Sequence, residues 1–598
     1  MSGSSTMKRN FKVSKIFFRY HYKPFTIYSF VYKPNFAKVP SEPANLKKPL
    51  QRYKPYSVNR EVEGVKLGEV TTSVAGSGST LSKSLPHVSL GLQKQSGKEM
   101  SIDFTEQESE ICNILRKVTT YLKETKNLPL VELRIAGGWV RDKLLRLECH
   151  DLDVAINSLT GFDFANYIKE FLEKEGNNNQ VNIHVIESNP EKSKHLETAT
   201  MKLCGLDIDF VNLRKEIYED SRIPVSLEYG TPEEDAYRRD ITINALFYNI
   251  HTGQVEDFTE KGISDLSEGL IRTPLSSCKT FKDDPLRVLR CIRFASRFHF
   301  EIVDDVKDVI LKDESIKVAL NEKISRERVG IEIDKMIKGP DPVQAIDLIV
   351  NLGLYDVVFS PPPQESIVSG NLGAPKNCLI VAKILSWLLS DKSKDYNIHI
   401  IFHQLNENEK RALYLAACTL PYKDMTYTEK GNSQPAYQYV IRESIKFSND
   451  DVNKVKKLLS SVDFVTKAVS QNNEVLTDRL GLGLCIRELN SEWPTTLLFA
   501  LSNELRPYMD QVKEDKEIKE INNKYTKFIE RIYELKLENA YREKPLLNGK
   551  DIQKLLNIKP GPNFRDILNS IMEWQLEYPN SSKEECQEFI KNKYNNLQ

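Results

Sequence analysis

Apolar positions between Val131 and Ile156 change period twice. Val131, Leu133 and Ile135 alternate as on a strand, Gly137-Gly138 interrupts them, and Val140, Leu144 and Leu147 follow at helical spacing before a second apolar run closes at Ile156. The pattern predicts a strand, a turn, a short helix and a second strand. Upstream, Ile111, Leu115, Val118 and Leu122 form a helical stripe entered through Thr105 and Glu108, the pair of a capping box. Downstream, the spacing predicts a helix over 162–173, strands over 181–186, 198–203 and 208–213, and a polar loop over 187–196. Beyond Gly339 the period is almost wholly helical, with helices expected over 343–352, 379–389, 409–417, 452–459 and 495–505. The fold class is therefore α+β: a small mixed-sheet domain followed by a long all-α half.

At 598 residues the chain is too long for one core, and its 40% apolar content suffices for globular packing. The expected divisions are 1–45, a basic segment; 46–99, a linker; 100–250, a sheet-bearing head; 251–340, a helical neck; 341–530, a helical body; and 531–598, a helical tail. The 84 basic and 84 acidic side chains cancel, so any nucleic-acid site must be a local basic patch. Basic clusters at Lys454, Lys456 and Lys457, and from Lys524 to Lys544 among tyrosines, are candidates. The nine cysteines include no C-x-x-C pair, which argues against zinc and disulfides. No apolar run approaches membrane-spanning length, so no membrane partner is expected. Residues 1–41 carry eight Lys or Arg and no acid, as in a mitochondrial targeting segment. The pattern predicts a mitochondrial matrix form, with cytosolic and nuclear forms starting at internal methionines such as Met100.

The interrupted unit also carries chemistry. Gly137 and Gly138 at a strand-to-helix turn let backbone N–H groups approach an anion, and Arg141 lies one turn on. Asp151 and Asp153, two apart on a strand, point to one face and can share divalent cations. A phosphate cradle beside paired carboxylates implies nucleotidyl or phosphoryl transfer.

GGWVRD followed by HDLDVAI resembles the signature of the tRNA nucleotidyltransferase and poly(A) polymerase family, within the DNA polymerase beta superfamily. The resemblance implies a polymerase beta-like nucleotidyltransferase head. It implies that Asp209, in GLDIDFVNLR, is the third metal carboxylate beside Asp151 and Asp153, with two Mg²⁺ ions as cofactor. It assigns Arg238, Arg239, Asp240 and Asn244 in RRDITINAL to the nucleotide, with Asp240 and Asn244 one helical turn apart on a shared face toward the ribose. DFTEKG at 257–262 resembles the family's hinge motif. In FKDDPLRVLRCIRF, Asp283-Asp284 and Arg287 resemble the base-reading pair, Asp284 and Arg287 lying i, i+3 on one helical face that Arg290 and Arg293 extend. ISRERVGIEIDKMIK is expected to support that helix through Glu327 and Arg328, and PLLNGKDIQKLLNIKPGPNF resembles the family's C-terminal segment.

The implied activity is template-independent addition of CCA to tRNA 3′ ends from CTP and ATP. The helical half would hold the tRNA by shape and backbone rather than by sequence, and a monomer is expected. Two alternatives stay open at this point: a poly(A) polymerase or partial-adding enzyme of the same superfamily, and a non-catalytic tRNA-binding protein.

Overall fold

The computed structural model describes residues 102–594 except 150, 177–182, 187–197, 218–225, 391–404, 471–477, 510–514, 560 and 562. The basic segment, the linker, Met100, His150 and the polar loop before Thr198 lie outside the described residues.

The first helix, α1 (Glu106–Thr125), begins at the capping box: Thr105 accepts from the Glu108 N–H, and the Glu108 carboxylate accepts from the Thr105 N–H. β1 (Leu133–Ala136) then leads through Gly137 into α2 (Gly138–Leu144) and back along β2 (Leu152–Ile156). α3 (Gly161–Lys174), β3 (Ile183–Ile186), β4 (Thr198–Leu203) and β5 (Leu206–Asn212) follow. A small hairpin of β6 (Arg214–Ile217) and β7 (Ser226–Tyr229) precedes α4 (Pro232–Tyr237), and β8 (Phe247–Asn249) with β9 (Gln254–Glu256) complete the sheet. The seven strands lie in the order β3-β4-β5-β2-β1-β8-β9, antiparallel except for β2 with β5.

The parallel register positions the site. Leu152, Asp153 and Val154 pair with Ile208, Asp209 and Phe210. Because side chains alternate across a strand, the apolar members go to one face and the two aspartates to the other. Leu152, Val154, Ile208 and Phe210 are buried, and α3 covers them, with Phe164 edge-on to Phe210 at a centroid distance of 5.5 Å.

Glu108 also joins helix to helix. It accepts from Trp139 Nε1 at 2.8 Å and Lys143 Nζ at 2.6 Å, so α1 is latched onto α2. Burial pushes this carboxyl up, but the bonds from Lys143, Thr105 and Trp139 outweigh it and hold it below the usual range.

The segment expected as the neck, 251–340, is helical: α5 (Gly262–Glu268), α6 (Ser277–Asp283), α7 (Leu286–Phe298), α8 (Asp304–Lys312), α9 (Glu314–Lys323) and α10 (Arg326–Ile337). α10 is set hard against the body. A Cβ on Gly330 would lie 1.9 Å from the Ile445 carbonyl oxygen, and Arg326 donates to the carbonyls of Ser444 at 2.7 Å and Val357 at 3.0 Å.

The expected body helices occur as Pro342–Asn351, Lys376–Leu388, Glu407–Thr419, Asn449–Ser470 and Trp493–Met509; the last four are longer than expected, Asn449–Ser470 because its apolar stripe runs on through Val462, Val465 and Val469. A three-stranded antiparallel sheet, Ile367–Ser369 with Thr426–Glu429 and Asn432–Pro435, interrupts this half, which the helical period did not predict. The last helices, Gly549–Leu556, Asn563–Glu577 and Lys583–Tyr594, close over a core of their own built on Ile552, Leu556, Ile567, Ile571, Cys586 and Ile590.

Candidate active site

A cleft of about 770 Å³ opens on the polar face of the sheet, lined by Asp151, Asp153, Thr200, Gly205, Asp207 and Asp209 among others. Asp153 and Asp209 sit side by side across the β2–β5 ladder, and Asp151 stands exposed at the strand entrance. Thr200, opposite Asp209 on β4, donates its hydroxyl to Asp209 Oδ1 at 2.5 Å. Burial pushes the Asp153 carboxyl up to about 6; Asp209 and Asp151 add to this, while Arg239 and Arg214 oppose it. Negative charges are thus gathered with only partial compensation, chiefly from Arg239. Among the described residues no three His, Cys, Asp or Glu side chains are drawn into a ready-made metal cage. The donor set nevertheless fits a hard divalent cation, because it is all oxygen and its members repel one another until a cation is added.

Beside the cleft lies a network of the opposite character. Gly137 has φ +70°, and a Cβ there would meet Arg239 Nη1 at 2.5 Å, so this turn needs glycine. The Gly137 N–H donates to the Leu246 carbonyl at 2.9 Å, which removes that donor from the anion cradle expected at this turn. Gly138 opens α2. Arg141 does not point into open space. Its guanidinium is buried over the rings of Phe294 and Phe298, and it donates from Nε to Asp142 Oδ1 at 2.7 Å and from Nη1 to Asn244 Oδ1.

The segment 238–246 departs from expectation. α4 ends at Tyr237, and residues Thr242–Asn244 make one 3₁₀ turn, so Asp240 and Asn244 do not share an α-helical face. A helix start expected at Arg238 lies six residues earlier, at Pro232, where Thr231, Pro232 and Glu234 supply a capping box with proline at the first helical position. Asp240 and Asn244 still meet: Asn244 Nδ2 donates to Asp240 Oδ1 at 3.0 Å, while Asp240 Oδ2 accepts from Arg290 Nε at 2.7 Å. Burial pushes the Asp240 carboxyl up, but Arg290 and Asn244 overcome this and hold it well below the usual range.

Arg238 and Arg239 are held by Asp235, which the sequence reading missed. Its two oxygens each take a fork, Oδ1 from Arg238 and Oδ2 from Arg239, at 2.5–3.0 Å. Burial alone would raise Asp235, yet the two arginines lower it to about 2. Its position three and four residues before the arginines was the available signal. Arg214 was also missed. It lies near Asp153, Arg238 and Arg239, and its buried Nε has no hydrogen-bond partner among the described residues. Burial, then Arg238, hold its guanidinium below its ordinary range.

The helix expected to read the base also differs from expectation. α6 stops at Asp283, Asp284 is extended (φ −140°, ψ 102°), and α7 starts after Pro285. A residue before proline is driven out of the helical region, so Asp284 and Arg287 are not on one continuous helix face. Asp284 Oδ1 accepts the Leu286 N–H at 3.1 Å and Oδ2 accepts Arg328 Nη2 at 3.0 Å; Arg287 Nη2 donates to the Arg238 carbonyl at 2.6 Å. Arg293 is paired with Glu332 on α10 at 2.5 Å. α10 therefore supports α7 through Arg328 and Glu332 rather than through Glu327. In the hinge-like segment, Asp257 accepts from Thr259 and from the Ile263 N–H, capping α5, while Asp265 ties Thr242 at 2.7 Å to Arg272 at 3.0 Å.

A mixed sheet with in-register aspartates on adjacent parallel strands, a glycine turn at the same sheet end and a helical half beyond it define a nucleotidyltransferase of the polymerase beta-like fold. Residues 133–272 match the Poly A polymerase head domain, and residues 300–366 match the probable RNA and SrmB- binding site of polymerase A. The chain is 39% identical over 515 residues to the mitochondrial CCA tRNA nucleotidyltransferase of Saccharomyces cerevisiae, covering 81% of this chain and 92% of that one. It is 36% identical over 493 residues to the tRNA nucleotidyltransferase cca1 of Schizosaccharomyces pombe, covering 81% and 95%. The Thermotoga maritima CCA-adding enzyme complexed with tRNA shares the fold at 20% identity and a TM-score of 0.53, over 82% of this chain and 97% of that one. The chain belongs to the CCA tRNA nucleotidyltransferase family.

Proposed function

We propose that this protein adds C, C and A to the 3′ end of tRNA from CTP and ATP, without a template, releasing diphosphate at each step. The observation that carries the reading is the in-register pair Asp153 and Asp209, with Asp151 at the rim, in a chain of this family. Asp151, Asp153 and Asp209 would hold two divalent cations, Mg²⁺ by preference, which when bound favour the attacking alkoxide and neutralise the leaving diphosphate.

The chain's own residues do the rest. Arg238 and Arg239, aimed by Asp235, and the under-partnered Arg214 supply positive potential beside the carboxylates for the triphosphate. Gly137 and Gly138 keep side chains out of the turn so that nucleotide and backbone can approach. Asp240 and Asn244, fixed by Arg290 and Arg141, present a bonded polar pair to the ribose.

Asp284 can only accept and Arg287 can only donate. Together they complement cytosine and adenine, each of which offers an amino donor beside a ring acceptor, and oppose uracil and guanine. The residues around Asp257 would let this pair serve both bases as the 3′ end grows.

One incubation tests the reading: purified protein, end-trimmed tRNA, Mg²⁺ and each nucleotide singly and together. Incorporation of C, C and A in order is expected. Addition of A alone in long runs would instead make this a poly(A) polymerase, and no incorporation would leave a tRNA-binding protein.

The acid-free segment 1–41 and the mitochondrial relatives in two yeasts support a mitochondrial address, with cytosolic and nuclear forms from internal starts. Residues 1–45 fused to a fluorescent reporter should enter mitochondria; a diffuse reporter would refute the address and leave the activity standing.

A further inference from the structure

The neck carries a second cavity, of about 320 Å³, which shares no lining residue with the carboxylate cleft. Arg293, Ser296 and Arg297 line it from the end of α7, and Lys335, Gly339 and Pro340 from the end of α10 and beyond. We propose that this cavity seats one backbone phosphate of the RNA primer while its 3′ end lies at the carboxylates, an inference that rests on the CCA-adding reading above.

Three cations and no acid line the cavity. Arg293 gives Nε to Glu332 and lies 4.0 Å over the Phe294 ring, and its Nη groups donate to no acceptor among the described residues. Arg297 gives Nη2 to Asp142 at 3.1 Å, lies over the Phe298 ring and remains 39% exposed. Two guanidinium planes are thus fixed from behind with hydrogen-bonding edges left over, an arrangement suited to phosphate oxygens. Lys335 is exposed and pairs with no acid among the described residues.

One feature of the fold opposes an anion here. Both helices present their C-terminal ends, where the backbone carries partial negative charge. A charge-assisted hydrogen bond outweighs the end of one helix, and three cationic donors surround the cavity, so the cations prevail.

Glu332 faces Arg293, but Asp142 is shared between Arg297 and Arg141, so the cavity keeps a net positive charge. Position selects the kind of phosphate. Arg297 reaches Asp142, Asp142 holds Arg141, and Arg141 binds Asn244 at the nucleotide, so the cavity stands one ion pair outside the nucleotide's own shell.

The experiment uses the full chain and a fluorescent tRNA lacking its CCA end, with affinity measured by anisotropy from 50 to 200 mM salt, as in the range over which phosphate contacts are read out. Lys335→Gln is expected to weaken binding about tenfold and to make the slope of log affinity against log salt shallower by about one. Lys335→Arg should bind as the wild type does, and KM for CTP at saturating tRNA should stay unchanged in both. Wild-type tRNA affinity and slope in Lys335→Gln would overturn the proposal. So would a raised KM for CTP with unchanged tRNA binding, which would make the cavity a nucleotide site. Should Lys335→Gln melt below the wild type, Lys335→Arg together with Lys335→Met separates charge from packing: a slope restored only by Arg upholds the site, and equal slopes in Arg and Met overturn it. Wild-type protein that adds neither C nor A would defeat the parent reading; active wild type with an indifferent Lys335→Gln would defeat this inference alone.

Discussion

The carboxylate cleft and the arginine network beside it are built from the same charged residue types in opposite ways. In the cleft, Asp151, Asp153 and Asp209 repel one another, and Asp153 is pushed up to about 6 by burial and by its neighbours. In the network, Asp235, Asp240 and Asp142 each hold at least one arginine at hydrogen-bonding distance, and Asp235 and Asp240 lie below the usual carboxylate range. The first region is incomplete until something positive enters. The second is complete before the substrate arrives. On the proposed reading, unsatisfied charge marks where the reacting groups go, and satisfied charge marks what aims them.

The largest expected effect breaks the first region. Asp151→Ala with Asp153→Ala should lower incorporation of both C and A at least about a thousandfold, about 4 kcal/mol in the barrier, with tRNA affinity little changed. Turnover above a tenth of wild type would sink the assignment.

Breaking the second region should act on stability instead. Asp235→Ala leaves Arg238 and Arg239 without their shared acid, and loss of one member of a buried pair costs about 3–5 kcal/mol. Urea unfolding reads it directly. The sign against pH follows from the lowered carboxyl. Asp235 sits at about 2 in the fold against about 3.9 unfolded. Its stabilisation is therefore complete above about pH 4 and fades as pH falls toward 2. The stability gap between wild type and Asp235→Asn should close over that window; a gap independent of pH would show that the carboxylate charge is not what holds the arginines.

Asp284→Ala and Arg287→Ala sharpen the comparison at the base. Each removes one hydrogen-bonding group proposed for the base, about 1–3 kcal/mol, so preference for CTP over UTP should fall about ten- to a hundredfold while tRNA binding holds. An unchanged preference in both, with activity still measurable, would mean that the base is read elsewhere.

The smallest effect concerns Asp207, which lines the cleft but stands exposed opposite Lys202 in the β4–β5 register. Asp207→Asn should change turnover less than about threefold, since a solvated charge adds little. A hundredfold loss would place a fourth carboxylate in the reaction.

The head was legible because its apolar residues keep strict periods. β4 spans 198–203 as its alternation predicts, and α3 extends the expected 162–173 by one residue at each end. What the period could not give were the breaks and the distant partners. Pro285 divides the helix that Asp284 and Arg287 were expected to share, and the capping box at Thr231 moves a helix start from Arg238 to Pro232. Both signals were present in the sequence as local rules outweighed by motif shape. Glu332 with Arg293 and Asp142 with Arg297 are 39 and 155 residues apart, and no local rule joins such pairs. Among the residues assigned to the nucleotide, the structure gathers Arg141, Asp240, Asn244 and Arg290 into one bonded chain. It sets Asp284 apart from Arg287, each with other partners.

Gly330 has a mechanical meaning beyond its packing. With the Ile445 carbonyl where a side chain would be, and Arg326 clamped to Ser444 and Val357, α10 cannot slide on the body. The same helix grips Asp284 through Arg328 and Arg293 through Glu332. One helix thus joins the helical half to Asp284 and Arg293, and on the proposed reading a shift of the body would be passed through α10 to the residue that reads the base.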